Sequence, residues 1–284
     1  VRILITGGSG QLGTELTKRF GPSENSEVFS FSRSELDITD LHQVNSIILS
    51  IRPDVIFHTA AFTNVDSAEK EMERAFQVNA MGTRNVAVAS QKVKSKLVYI
   101  STDYIFDGTV TRPYHEFDLP YPRNVYGRSK LAGEHFVQCL TNRFFIIRTS
   151  WLYGAYGDNF VKKICRSAQE NKPLKVVNDQ IGSPTYCYDL AEWLEILVKT
   201  EFYGVYHVSN SGACSWYEFA QVILKEINRN DLAIEAVASS VFDQIAPRPA
   251  FSVLDNLATR LNGLPTMRNW YAGLKHFLNV VSES

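Results

Sequence analysis

The sequence predicts an α/β protein built on a Rossmann-type, doubly wound parallel sheet with a smaller, interleaved C-terminal substrate-binding lobe. Three observations carry this reading. Short apolar runs alternate with longer amphipathic ones from the first residue. The short runs are rich in Val, Ile and Phe and lack polar alternation, as strands covered on both faces do. Glycines at 7, 10 and 13 follow the first run directly, the spacing a dinucleotide cradle needs.

In chain order, strands are expected at Val1–Thr6, Glu27–Ser32, Asp54–Ala60, Lys96–Ser101 and Phe144–Thr149. Helices are expected between them at Gln11–Phe20, Leu41–Ile51, Ala68–Gln91 (with a break) and Gly127–Leu140. Such alternation gives a parallel sheet with right-handed crossovers and helices on both faces. After Trp151 the pattern loosens. Helix Asn159–Glu170, strand Leu174–Val177, helix Leu190–Lys199 and strand Val205–Val208 still read as sheet-building units, and Trp216–Asn228 as a further helix. The division expected is a dinucleotide-binding domain of 1–150 with 174–208, and a lobe of 151–173 with 209–284 covering the carboxyl edge of the sheet, where such folds bind ligands.

Composition narrows the function classes. With 45% hydrophobic residues in 284 there is ample core. A formal net charge of −1 makes no field for nucleic acid or an anionic membrane, and Lys92, Lys94 and Lys96 read as a solvated face. No apolar stretch reaches the roughly 18 residues of a membrane helix. The chain opens on a strand with no charged leader, so no targeting signal is expected. Cys139, Cys165, Cys187 and Cys214 have no paired spacing, which suits a reducing compartment; the cytoplasm is the expected location. The scattered histidines form no ligand cluster with them, so no structural zinc is expected.

The cofactor end is Thr6-Gly7-Gly8-Ser9-Gly10-Gln11-Leu12-Gly13, after a strand and before a helix. Gly7 permits the sharp turn, Gly10 lets a pyrophosphate approach the backbone, and Gly13 lets helix and strand pack closely. The helix N-terminus offers free N–H groups and the positive end of its dipole. The second strand ends at Phe31-Ser32-Arg33-Ser34. The hydroxyl of Ser32 and the guanidinium of Arg33 suit a 2′-phosphate, which favours NADPH and leaves NADH admissible.

At the catalytic end, Tyr126-Gly127-Arg128-Ser129-Lys130 sets a phenol and an amine four residues apart, on one face if helical. A neighbouring ammonium is expected to lower the phenol's pKa. Tyr271 and Lys275 share the spacing but lack the context, which for the first pair is a strand ending in Ser101-Thr102-Asp103-Tyr104.

Gly7/Gly10/Gly13, His58-Thr59-Ala60-Ala61, Asn79, Thr102 and Tyr126/Lys130, in this order, resemble the extended short-chain dehydrogenase/reductase superfamily. Ser101–Gly108, Arg148–Gly154, Asp179–Thr185 and Arg248-Pro249 are similar, within it, to the dTDP-4-dehydrorhamnose reductase family, and the likeness covers nearly the whole chain. That resemblance implies reduction of the C4 ketone of dTDP-4-dehydro-L-rhamnose to dTDP-L-rhamnose. Tyr126 would donate the proton, Lys130 would hold the nicotinamide ribose, and Thr102 would bond the substrate oxygen. Thr63, Val65, Asp103, Trp151, Gln180 and Arg248 would meet the sugar nucleotide. Gln11, Leu12, Asp37, Ile38, Ala60, Ala61, Phe62 and Asn79 would meet the cofactor, with Phe62 standing where the family often has tyrosine. Glu15 matches a carboxylate some members use at a metal-bridged dimer contact. No partners for it stand out, so no essential metal is expected, while a homodimer is admissible.

Other roles weigh against this. His58 reads as a structural histidine, and Trp193, Trp216 and Trp270 as packing. Dehydration would need a carboxylate where Tyr104 follows Asp103. Epimerisation keeps the Tyr/Lys pair. The regulatory subunit of methionine adenosyltransferase, a cofactor-binding module without turnover, resembles the same reductases.

Overall fold

The computed structural model describes residues 1–21 and 25–282. Its centre is a six-stranded parallel sheet: β1 (Arg2–Thr6), β2 (Glu27–Phe31), β3 (Val55–His58), β4 (Lys96–Thr102), β5 (Phe144–Thr149) and β6 (Gly204–His207), in spatial order β2-β1-β3-β4-β5-β6. The order reverses between β1 and β3. At such a switch point the crossovers leave on opposite faces and open a crevice beyond the strand ends. The register brings the ends together there: Thr6 lies beside Phe31 and His58, and Thr102 beside Thr149.

Successive strand residues point to opposite faces, and both faces are dry. Ile3 and Ile5 join Phe57 and Phe145 in a core with α1 (Gln11–Phe20) and the helix Cys187–Leu197, through Leu16 and Leu194. Leu4, Ile56, Leu97 and Ile146 face the other way, against α2 (Leu41–Ile51) and the helices that follow. This double burial is why the strands read as unbroken apolar runs.

The helical stretch expected over Ala68–Gln91 is four pieces: α3 (Val65–Lys70), α4 (Met72–Phe76), a π-helical turn (Gln77–Gly82) and α5 (Thr83–Val93). Asn64 starts α3 by accepting the Ser67 N–H, and the chain breaks at Glu71, whose φ of −120° and ψ of 51° leave the helical region. Next comes α6 (Val125–Leu140), capped by Asn124, whose side-chain Oδ1 accepts the Gly127 N–H at 2.7 Å.

The C-terminal lobe has its own core, in which Tyr153, Tyr186, Phe219 and Phe277 pack ring on ring. One expectation fails. Leu174–Val177 is a strand, but it pairs in parallel with Ile234–Val237 in this lobe and takes no place in the six-stranded sheet. Its apolar pattern is the same in either setting, so periodicity could not choose between them. Among the described residues no helix is long and apolar enough to cross a membrane, and no group of His, Cys, Asp or Glu could hold a metal ion.

Candidate active site

A cleft of about 720 Å³ opens at the carboxyl ends of β1, β3, β4 and β5, and its wall runs from Gly7 to Trp216. The turn after β1 is built for close approach. Gly7 has φ +70°, and a Cβ on it would fall 2.7 Å from the Ala60 nitrogen; one on Gly13 would fall 2.3 Å from the Gly7 oxygen. Larger residues cannot stand at either place without moving backbone. Gly10, Gln11 and Leu12 complete this wall, and Ala60, Ala61, Phe62, Asp37 and Ile38 line the cleft opposite. Asp37 accepts the N–H and hydroxyl of Thr39 at 2.9 and 2.8 Å, bonds that hold its carboxyl below the usual range.

Two residues expected at the cofactor do not form the wall. Asn79 is fully buried in the π-helical turn. Its amide accepts from the Phe62 N–H (2.8 Å) and donates to the Phe62 carbonyl (3.0 Å) and to Ser129 Oγ (2.9 Å). Its hydrogen-bonding capacity is spent fixing the backbone of Phe62, which does line the cleft. Ser32 turns to Glu35, whose carboxylate accepts both its N–H (2.8 Å) and its hydroxyl (2.6 Å). Arg33 stays in the wall and exposed.

His58 is structural, as read. Thr83 Oγ1 donates to the Asn79 carbonyl at 2.7 Å, so it accepts from His58 Nε2 at 3.0 Å, and Nδ1 then accepts from Thr6 Oγ1 at 2.7 Å. This network assigns the neutral tautomer, and burial pulls the imidazole pKa down to about 3.

The reactive groups meet where β4 ends and α6 begins. Thr102, Asp103, Tyr126 and Lys130 all line the cleft. Tyr126 and Lys130 are one turn apart on α6. Lys130 is only 2% exposed. Burial, partly offset by Glu134, pulls its ammonium down to about 7. Burial pushes the Tyr126 phenol up to about 12, with the Thr102 hydroxyl bonding it and the Asp103 charge opposing ionisation further. The expected lowering of the phenol is thus reversed, because loss of water around it outweighs the bond from Thr102. Beneath this pair, Glu134 accepts from Ser101 Oγ (2.5 Å) and from Arg148 (2.8 Å), with both members of the ion pair buried.

On the sugar side, Asp103 is buried and burial raises its carboxyl to about 6. Its Oδ2 is buried and has no hydrogen bond of good geometry among the described residues, although the Ser252 side chain stands near enough to oppose the rise. Thr63, Val65 and Trp151 line the same end. Trp151 adopts φ +48°, a conformation that costs a bulky residue about 1–3 kcal/mol and gathers at functional sites. Its ring lies 3.4 Å from that of Trp216 at an interplanar angle of 6°. Trp216 also lines the cleft, so it is part of the site and more than packing; 65 residues separate it from Trp151, and nothing local announces the pairing. Trp193 and Trp270 do pack, the first donating to the Pro265 carbonyl at 2.9 Å. Gln180 is buried outside the wall. Arg248 lies outside it too, because its guanidinium is held by Asp66 at 2.6 and 3.1 Å.

Fold and cleft together define the class: this is a Rossmann-type extended short-chain dehydrogenase/reductase, with a glycine cradle at one end of the cleft and a Thr/Tyr/Lys cluster at the other. Residues 1–283 match the family model described as the RmlD substrate binding domain, and the chain belongs to that family. It is 41% identical to the spore coat polysaccharide biosynthesis protein SpsK of Bacillus subtilis, over 100% of this chain and 99% of that one. It is also 41% identical to the dTDP-4-dehydrorhamnose reductase of Aggregatibacter actinomycetemcomitans, over 89% and 90% of the two. The crystal structure of dTDP-4-dehydrorhamnose reductase from Bacillus anthracis in complex with NADP is 48% identical, with 98% of each chain covered and a TM-score of 0.95.

Proposed function

We propose that this protein is an NADPH-dependent reductase, with NADH also accepted, that converts the C4 ketone of dTDP-4-dehydro-L-rhamnose to the alcohol of dTDP-L-rhamnose. The observation that carries the reading is the convergence of Thr102, Tyr126 and Lys130 on one cleft with the Gly7–Gly13 cradle. A dinucleotide fits that cradle: the Ala60 and Gly7 backbones leave no room for a Cβ at Gly7 or Gly13, which keeps the turn tight, and Gly10 and Gln11 line the cleft beside it.

Gly10, Gln11 and Leu12 would hold the pyrophosphate, Arg33, Asp37 and Ile38 the adenosine end, and Ala60, Ala61, Phe62 and Lys130 the nicotinamide end. What a bound nicotinamide cofactor supplies is the hydride. Tyr126 gives its phenolic proton to the carbonyl oxygen, and its high pKa keeps that proton in place at neutral pH. Thr102 orients the same oxygen. Asp103, Thr63, Val65 and Trp151 hold the sugar, the indole offering an apolar face to the ring. Cofactor binding is assigned to the unit around the six-stranded sheet, and sugar binding to the lobe around Tyr153, Phe219 and Phe277. We place the enzyme in the cytoplasm on its four free cysteines.

The test is loss of NADPH absorbance with dTDP-4-dehydro-L-rhamnose generated in situ, for the wild type and Tyr126→Phe. Turnover that falls by at least about a hundredfold in the variant, with cofactor affinity kept, supports the reading. Tight NADPH binding with no turnover by the wild type would replace it with the regulatory role, and turnover on another 4-keto sugar would reassign the substrate.

A further inference from the structure

The ammonium of Lys130 is enclosed, yet among the described residues no acceptor takes its protons. What it meets is a ring. Its Nζ lies 4.2 Å from the centroid of Tyr99, a fully buried residue of β4. Two further features fix that ring. The Tyr99 hydroxyl donates to the Lys130 carbonyl at 3.1 Å. A Cβ on Gly133 would fall 2.4 Å from the Tyr99 oxygen, so α6 is notched where the phenol docks. Behind it, the neutral ring of His58 stacks at 5.7 Å and 28°.

We propose that Tyr99 is a positioning residue for Lys130, holding its ammonium over the ring face so that no protein acceptor competes with a ligand in the cleft for its N–H donors. This rests on the reading that Lys130 acts at a bound cofactor. The physical reason is directional. A carboxylate partner would anchor the charge by taking protons from it, in competition with the ribose hydroxyls. An aromatic face attracts the cation through its quadrupole and takes none. The neighbouring carboxylate, Glu134, is committed elsewhere, to Ser101 and Arg148. The other groups around Lys130 and its helix are Tyr126 on α6, His58 on β3, Asp103 after β4, Arg148 on β5 and Glu69 on α3, which accepts the Val125 N–H. None of them is bonded to Nζ.

A plainer role would have Tyr99 merely cover the lysine stem. Ring electronics separate the two. In the intact enzyme, Tyr99→Phe keeps the ring, and a series of phenylalanines with one, two and three fluorines at position 99 weakens its negative face at nearly constant volume. The pH profile of kcat/KM for NADPH is recorded for each. The expected result is an alkaline limb that stays in place in Tyr99→Phe and moves to lower pH with each fluorine, by about one pH unit across the series, a tenfold change in the protonation equilibrium. A limb that stays put through the series, while Lys130→Met abolishes turnover, overturns the proposal. Full turnover in Lys130→Met overturns the reading beneath it, and the proposal falls with it. Should the position-99 variants fail to fold, NMR of the wild type decides. Ring current should place the Lys130 ε-methylene protons well upfield of their position in an unstacked lysine, and an ordinary shift there refutes the stacked geometry.

Discussion

Tyr126 and Lys130 stand one turn apart and burial shifts them in opposite directions, the phenol up to about 12 and the ammonium down to about 7. Both moves favour the neutral form, the direction in which loss of solvent drives an ionisable group. Lys130 is an ammonium below about pH 7 and a neutral amine above it, whereas Tyr126 keeps its proton throughout the working range. Activity that needs the charged lysine therefore fades as pH rises, and the loss is set by the amine and not the phenol. A profile of kcat/KM for NADPH from about pH 6 to pH 9 should fall with a midpoint near 7, since that ratio reports the free enzyme. A flat profile would mean that the neutral amine suffices. At this scale the sequence was legible where spacing alone defines the geometry: i and i+4 on a helix place Tyr126 and Lys130 together without further information. It was not legible for polar residues whose direction depends on folded neighbours. Asn79 faces the Phe62 backbone, Ser32 faces Glu35 and Arg248 faces Asp66; in each case a protein group took the bonds a ligand was expected to take.

Among the elements, α6 is the one that brings the chemistry to the sheet. Its position depends on a buried ion pair, Glu134 with Arg148 of β5, to which Ser101 of β4 adds a third bond. Arg148 also lies over the Phe106 ring and 3.4 Å from the ring nitrogen of His207, whose pKa is pulled down to about 3. A nearby neutral imidazole does not oppose the guanidinium. Removing one partner leaves an uncompensated buried carboxylate, so Arg148→Met should cost roughly 3–5 kcal/mol by urea unfolding. Arg112 is paired as closely, with Asp118 at 2.7 Å, but its side chain is 55% exposed; Arg112→Ala should leave the urea midpoint nearly unchanged, because solvent screens an exposed pair. Equal losses in the two variants would refute the claim that burial, rather than pairing, sets the cost. β5 could be read to the residue because its first four residues, Phe144 to Ile147, are apolar on both faces. The region 65–93 could be read as helical, but its pieces could not be separated, since a π-helical turn carries no periodicity of its own. Leu174–Val177 showed its type and hid its partner, Ile234–Val237.

For the molecule as a whole, the question is whether the sheet unit and the C-terminal lobe unfold as one. The chain passes between them repeatedly: Trp151 follows β5, Cys187 returns to the sheet's helical face, and Asn210 leads away from β6. The junctions are bonded. Ser150 Oγ donates to the Ser183 carbonyl at 2.7 Å, the Asn159 amide donates to Gln11 Oε1 at 3.1 Å, and Asn210 accepts from the Tyr186 N–H at 2.8 Å while donating to Asp189 at 2.7 Å. Arg268 closes the same corner on Asp189 and on the Tyr186 ring. Freeing the lobe alone would expose these groups together with the apolar floor between the units, so a partly unfolded state has little to gain. A ligand bound in the cleft then stabilises both units at once. At a free NADPH concentration of 100 times its Kd, mass action adds about 2.7 kcal/mol, or about 5 °C in melting temperature for a chain of this size. Differential scanning calorimetry should show a single endotherm that moves as a whole by that amount. Two endotherms, of which only the one from the sheet unit follows NADPH, would show instead that the lobe folds on its own account and that the bonds at Asn210 and Asp189 do not couple it to the cofactor unit.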